Sequence, residues 1–115
     1  MDKAELLGGG GYVTEEVPIP RLGEGATVTV RGMTRMEALL VGKQDGADKI
    51  EPLALHYAVV DPPLTLKEAE QWMRTAPSSE VGPVVRAINR LSGGADRADK
   101  EAAKSVPEQG QPAEV

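Results

Sequence analysis

The chain has 115 residues, and its 18 acidic and 13 basic side chains give a formal net charge of −5 at pH 7. Cysteine is absent, which excludes disulfides, thiolate metal sites and a cysteine nucleophile. One histidine is too few for a multi-histidine metal site, and one tryptophan with two tyrosines is too few for a base-stacking platform. Because no apolar run reaches the roughly 18 residues of a membrane helix, we expect a soluble intracellular domain.

Both ends of the chain are predicted to be disordered. The lead, residues 1–13, contains the run Gly8–Gly11, which has no side chains to pack, and at most a helical turn is expected before it. Residues 94–115 hold almost no large aliphatic side chains, so they cannot bury enough apolar surface to become ordered. The folded domain is therefore expected to span residues 14–93.

The folded domain opens with a predicted β-hairpin. Thr27–Arg31 alternates between valine and polar residues, as expected for a strand with one buried face. In Val17–Pro20 the two prolines stand two residues apart, so they remove donors from one edge only. Val17 and Ile19 stay free to pair along the other edge, and Arg21–Gly25 has the length of a hairpin loop.

Two helices are predicted directly after the hairpin. The first begins at a capping box formed by Thr34 and Glu37, and a glycine-containing loop ends it. The second is expected over residues 48–60. Its second half is apolar nearly all round, which predicts the most buried helix of the fold, with Leu53 and Tyr57 in the core.

Two further helices complete the predicted fold. The third begins at a second capping box, Thr65 with Glu68, and the fourth is expected to begin where a hydroxyl of Ser78 or Ser79 caps it. Apolar residues recur at helical spacing along the fourth helix, which places Ile88 in the core. The predicted fold class is α+β and mostly α, with a short N-terminal β-hairpin followed by about four short helices.

No residue set predicts catalysis, metal binding or cofactor binding. His56 has no nucleophile or acidic cluster beside it, and we interpret it as a histidine at the rim of a buried helix. Gly8–Gly11 lacks the Lys-Ser/Thr of a phosphate loop. Asp45, Asp48 and Glu51 miss the spacing of a calcium loop. The chain is predicted not to be an enzyme.

Three apolar side chains are the candidates for binding a partner protein. They are Trp72 and Met73 on the third predicted helix and Met36 on the first, although Trp72 and Met73 also suit the core. Arg86 and Arg90 lie four residues apart on the last helix and would contact phosphates if the chain bound DNA. The net acidity of the chain disfavours that alternative.

The order of these segments resembles that of the tail assembly chaperones of long-tailed, siphovirus-type bacteriophages. The resemblance covers residues 14–93. Its most specific part is the sequence VVDPPLTLKEAE, residues 59–70, which is followed by INRLSG at residues 88–93. The resemblance carries over no catalytic residues, because such chaperones have none.

The resemblance implies a function in viral tail assembly. Such a chaperone binds the tape measure protein, a long apolar helical protein, and several copies are expected on each partner. It also implies a longer frameshift product of the same chain, a location in the host bacterial cytoplasm and absence from the mature virion. No cofactor, nucleic acid or membrane is implied. Two alternatives stay open, namely a small helical DNA-binding regulatory protein and a structural head–tail connector component.

Overall fold

Helices make up most of the residues that the structure describes, and a small antiparallel sheet accompanies them, so the predicted α+β, mostly α class is confirmed. The structure is a computed structural model that describes residues 1–93. Its elements in chain order are α1 (Lys3–Leu7), β1 (Thr14–Pro18), a 3₁₀ turn (Pro20–Leu22), β2 (Thr27–Arg31), α2 (Arg35–Gly42), α3 (Ala47–Ala58), β3 (Val59–Asp61), α4 (Leu66–Thr75) and α5 (Ser78–Leu91).

The predicted hairpin is present as β1 and β2. Val17 lies opposite Val28 in an antiparallel register, and the backbone N–H of Ile19 donates to the carbonyl oxygen of Ala26 at 2.8 Å. Pro18 falls at a position whose backbone faces the free edge of β1, where a missing N–H removes no bond to β2. The spacing of the prolines therefore decided which edge of the strand pairs.

A third strand takes the place of the end of the predicted second helix. The helix expected over 48–60 stops early and runs directly into β3, in which Val59 lies opposite Val30 and Asp61 opposite Thr29. Two consecutive β-branched valines favour extended backbone, and the open edge of β2 completes their hydrogen bonds. β2 is therefore the central strand of a sheet ordered β1-β2-β3.

The core lies between one face of this sheet and the helices α3 and α5. The largest fully buried side chains include Val30 on β2, Leu55 on α3, and Val84 and Ile88 on α5. Ile88 is thus buried as predicted. The alternating pattern of β2 supplies one wall of the core and the helical stripe of α5 supplies the opposite one.

The prediction that Leu53 and Tyr57 are core residues is wrong, since both are half-buried. The buried face of α3 carries Pro52, Leu55 and Ala58 instead. A segment that is apolar nearly all round gives no periodic signal for which side faces inward. Packing of α3 against α2, α4 and α5 makes that choice.

Both predicted capping boxes are present. The N–H of Glu37 donates to Thr34 Oγ1 at 3.1 Å and Glu37 Oε1 accepts from the N–H of Thr34 at 2.9 Å, and Thr65 and Glu68 repeat the arrangement at the same distances. At α5 the N-cap residue is Pro77, and no side chain caps the helix. The predicted serine cap is therefore wrong.

The two ends of the chain differ in what the structure describes. Helix α1 forms where the helical turn was expected, with the Asp2 side chain accepting from the N–H of Ala4, and all of its residues are exposed. The tail prediction for residues 94–115 lies outside the described residues. Within residues 1–93 no helix is long and apolar enough to cross a bilayer.

Candidate partner-binding surfaces

Helix α2 leaves apolar side chains in contact with solvent. Met36 is 65% exposed and Leu39 is 45% exposed, and residues three apart on a helix lie on the same face. Leu39 also lines a groove of about 540 Å³, which we call the α2 groove. Met33 and Ile50 also line this groove with apolar side chains. Val41 is the one buried residue of α2. The exposed parts of Met36 and Leu39 are therefore available to a partner.

An ion pair holds the first turn of α2 against the rest of the fold. Arg31 Nη1 and Nη2 donate to the two carboxylate oxygens of Glu37 at 2.9 and 3.0 Å. Nη1 also donates to the carbonyl oxygen of Gly32 and Nη2 to that of Tyr57, both at 2.8 Å. The guanidinium lies 4.8 Å from the ring centroid of Tyr12. These hydrogen bonds from Arg31 lower the pKa of Glu37 below its ordinary value.

A second groove, of about 510 Å³, lies between α4, the 3₁₀ turn and the segment that follows β3, and Trp72 lines it. We call it the Trp72 groove. The indole N–H of Trp72 donates to Glu80 Oε2 at 2.7 Å. Arg21 Nε donates to Glu80 Oε1 at 2.7 Å and its Nη2 to Oε2 at 3.0 Å. The hydrogen bonds from Arg21 lower the pKa of Glu80, although burial of its carboxylate acts in the opposite direction.

The three residues predicted to bind a partner do not share one surface. Met36 is exposed on α2, whereas Trp72 and Met73 are half-buried on α4 and both pack against the core. Met73 lines a third groove, together with Glu70 and Arg74. Consecutive helical residues point about 100° apart, which explains why Trp72 and Met73 face different grooves. Met36 is the predicted residue with the most apolar surface left to cover.

The residues considered for catalysis and for DNA binding are either bonded to other residues of the fold or exposed without such a bond in residues 1–93. His56 Nδ1 donates to the carbonyl oxygen of Leu64 at 2.8 Å. Arg90, one of the two arginines that a DNA-binding face would need, forms an ion pair with Glu15 on β1, while Arg86 is exposed. Among residues 1–93 no cluster of three or more histidines and acids has the geometry to hold a metal ion.

Sequence reasoning missed both partly buried ion-pair networks. Arg31 and Glu37 carry no local signal of pairing, because Glu37 already has a role in the capping box. For Glu80 a signal was present, since it stands four residues before Val84 on the apolar face of α5. A carboxylate on a buried helix face needs a charged or hydrogen-bonding partner, but the pattern does not identify Arg21 as that partner.

Comparisons with protein-family models, with curated proteins and with solved structures find no match to this chain. A function for it is therefore inferred from its own residues, from its surfaces and from the resemblance of its segments in sequence.

Proposed function

We propose that this protein is a tail assembly chaperone, which binds apolar helical segments of a phage tape measure protein and keeps them soluble during tail assembly. The observation that carries the proposal is the exposed apolar surface of α2, which consists of Met36 and of Leu39, a residue that lines the α2 groove. An apolar helix face beside a groove whose lining is partly apolar is a surface that a partner helix covers.

The size of this surface suits a contact that must later be released. Fully burying a methionine or leucine is worth about 1.5–3 kcal/mol. Because Met36 and Leu39 are 65% and 45% exposed, covering both would contribute roughly 2–3 kcal/mol in total. Because association has its own free-energy cost, this contribution gives only weak, reversible binding for one copy, and several copies would be needed along one long partner. Such binding is consistent with action in the host bacterial cytoplasm and with absence from the mature virion.

Two features of the proposal come from the sequence resemblance rather than from the surface. One is the longer frameshift product of the same chain, which would share α2 and therefore the same apolar face. The other is the identity of the partner as a tape measure protein. Neither requires a cofactor, a nucleic acid or a membrane.

Co-expression with the tape measure protein encoded downstream tests the proposal. We expect this protein to raise the soluble fraction of the partner and to co-purify with it. Leu39→Ser on α2 should lower the co-purified amount several-fold. Leu66→Ser on α4 is the matched control, because it makes the same change at a leucine that is 40% exposed rather than 45%. Its effect should be small.

Two results would count against the proposal in different ways. If the partner is equally soluble alone and never co-purifies, the chaperone function is wrong. If Leu66→Ser weakens the complex and Leu39→Ser does not, the surface is wrong. Raising the salt concentration separates the DNA-binding alternative, since contacts to phosphates weaken steeply with salt whereas burial of apolar side chains does not.

A further inference from the structure

The α2 groove is basic, although the protein carries a net charge of −5. Arg35 is the first residue of α2 and Lys43 follows its last residue, and both line the groove and are exposed. Among residues 1–93, no aspartate or glutamate lines it. The remaining lining is largely apolar and includes Met33, Leu39 and Ile50.

Both cations are available to an incoming group. The ion pairs among residues 1–93 use the arginines at positions 21, 31 and 90, so Arg35 and Lys43 have no carboxylate partner in that part of the chain. The one acid on α2, Glu37, is already engaged by Arg31. An acidic partner would therefore meet cations that no described carboxylate occupies.

The spacing of the two cations limits the shape of the partner. Arg35 and Lys43 stand eight residues apart, which corresponds to about 12 Å along a helix axis at 1.5 Å per residue. A second helix lying along α2 would meet both cations with carboxylates roughly two turns apart. Its apolar residues between those carboxylates would cover Leu39 and Met36.

We infer that the α2 groove selects amphipathic helices that carry carboxylates about two turns apart on the border of an apolar stripe. This inference rests on the proposed function and names the chemistry of the segments that the chaperone binds. Exposed ion pairs strengthen binding only two- to fivefold each, so their main effect is to select register and partner. Helices with lysine at the same positions would be disfavoured by like-charge repulsion.

Two synthetic helical peptides of about 18 residues provide the probes. They share one Leu/Met/Ala stripe and differ only in carrying glutamate or lysine at the two bordering positions, eight residues apart. Calorimetry at low ionic strength should show that the full-length protein binds the glutamate peptide about tenfold more tightly. Arg35→Glu should abolish or reverse that preference.

Lys67→Glu is the matched control variant, because Lys67 is also an exposed cation in the first turn of a helix that begins with a capping box. It lies on α4 and does not line the α2 groove. The preference for the glutamate peptide should survive this change. Circular dichroism of each variant establishes that the fold is retained.

Several outcomes would overturn the inference. Equal affinities for the two peptides, or a preference that Arg35→Glu leaves intact, would show that the groove does not select partners by charge. The proposed chaperone function would not be affected, because the co-expression experiment tests it separately. Binding of neither peptide would remove the groove as a docking site. A change in the emission of Trp72, the single tryptophan, would place the peptide in the Trp72 groove. If a chain ending at Gly93 bound the glutamate peptide about tenfold more tightly than the full chain, the acidic segment 94–115 would be the occupant instead.

Discussion

At the scale of single residues, Glu80 is the clearest case of a charge held inside the fold. It is 7% exposed on the inner face of α5, a position where the helical pattern otherwise places valine and isoleucine. Desolvation alone would raise its pKa, but the hydrogen bonds from Arg21 and Trp72 outweigh desolvation and lower it. The ionised form of Glu80 is thus the form that stabilises the folded state.

The stability of the protein should depend on pH through this carboxylate. The pKa of Glu80 is lower in the folded state than its ordinary value of 4.5, so its stabilisation is complete above that value. It is lost as the pH falls from 4.5 through the lowered folded value. Glu80→Gln should cost about 1–3 kcal/mol at neutral pH and should make the urea midpoint fall less steeply on acidification. Equal slopes for the variant and the natural chain would contradict this account, and the remaining slope is expected from Glu37, whose pKa is also lowered.

At the scale of elements, the junction between β2 and α2 is pressed against the end of α5. The N–H of Met33 donates to Ser92 Oγ at 2.8 Å. A Cβ atom on Gly32 would overlap the carbonyl oxygen of Leu91 and lie 2.8 Å from its carbonyl carbon. Because these neighbours are backbone atoms of a packed helix, they cannot move aside cheaply. Glycine at position 32 therefore allows the sheet and the last helix to approach each other.

Two glycine-to-alanine variants test this close approach. Gly32→Ala should destabilise the protein by about 1–3 kcal/mol, because the added methyl group separates α5 from β2. Gly42→Ala makes the same change at the end of α2, where no described residue outside the local helix backbone lies within 4 Å of the added atom, and should stabilise by about 0.5–1 kcal/mol. Chemical denaturation measures both free energies of unfolding. Shifts of the same sign and size would show that crowding at Gly32 is not the cause.

At the scale of the whole molecule, the core is assembled from both ends of the folded region. Among residues 1–93 the buried hydrophobic residues extend from Val17 on β1 to Ile88 on α5, and α5 packs against β1, β2 and α3. β1 and α5 must therefore pack together before the apolar face of either one is buried. Within residues 1–93, α5 is therefore an essential part of the core.

Truncations before and after α5 should behave differently. A chain ending at Gly93 should keep the urea midpoint of the full chain, because it retains every hydrophobic residue that is buried in the described part, residues 1–93. A chain ending at Ala76 should lose cooperative unfolding, because it lacks Val84 and Ile88 from the core. Amide hydrogen exchange on the full chain provides a second measurement. A lower midpoint for the chain ending at Gly93 would mean that residues 94–115 stabilise the fold.

The candidate site was only partly predictable from the chain. The pattern identified Met36, Trp72 and Met73 as apolar residues with a possible role in binding, but it could not separate the exposed Met36 from the two half-buried residues of α4. Exposure depends on which other elements cover a helix face, and a single helix does not carry that information. Likewise, the sequence does not show that Arg35 and Lys43 line one groove, because α2 forms that groove together with neighbouring elements.

The sequence by itself determined those features whose interactions join residues only a few positions apart. Local residue spacing determines the capping boxes at Thr34 and Thr65, the paired edge of β1 and the alternation of β2. Only the tertiary structure decided that Val59–Asp61 is a strand and that Glu80 pairs with Arg21, 59 residues away. Both outcomes depend on which groups, distant in the sequence, the packed core brings within hydrogen-bonding distance of each other. A local sequence pattern carries no information about such distances.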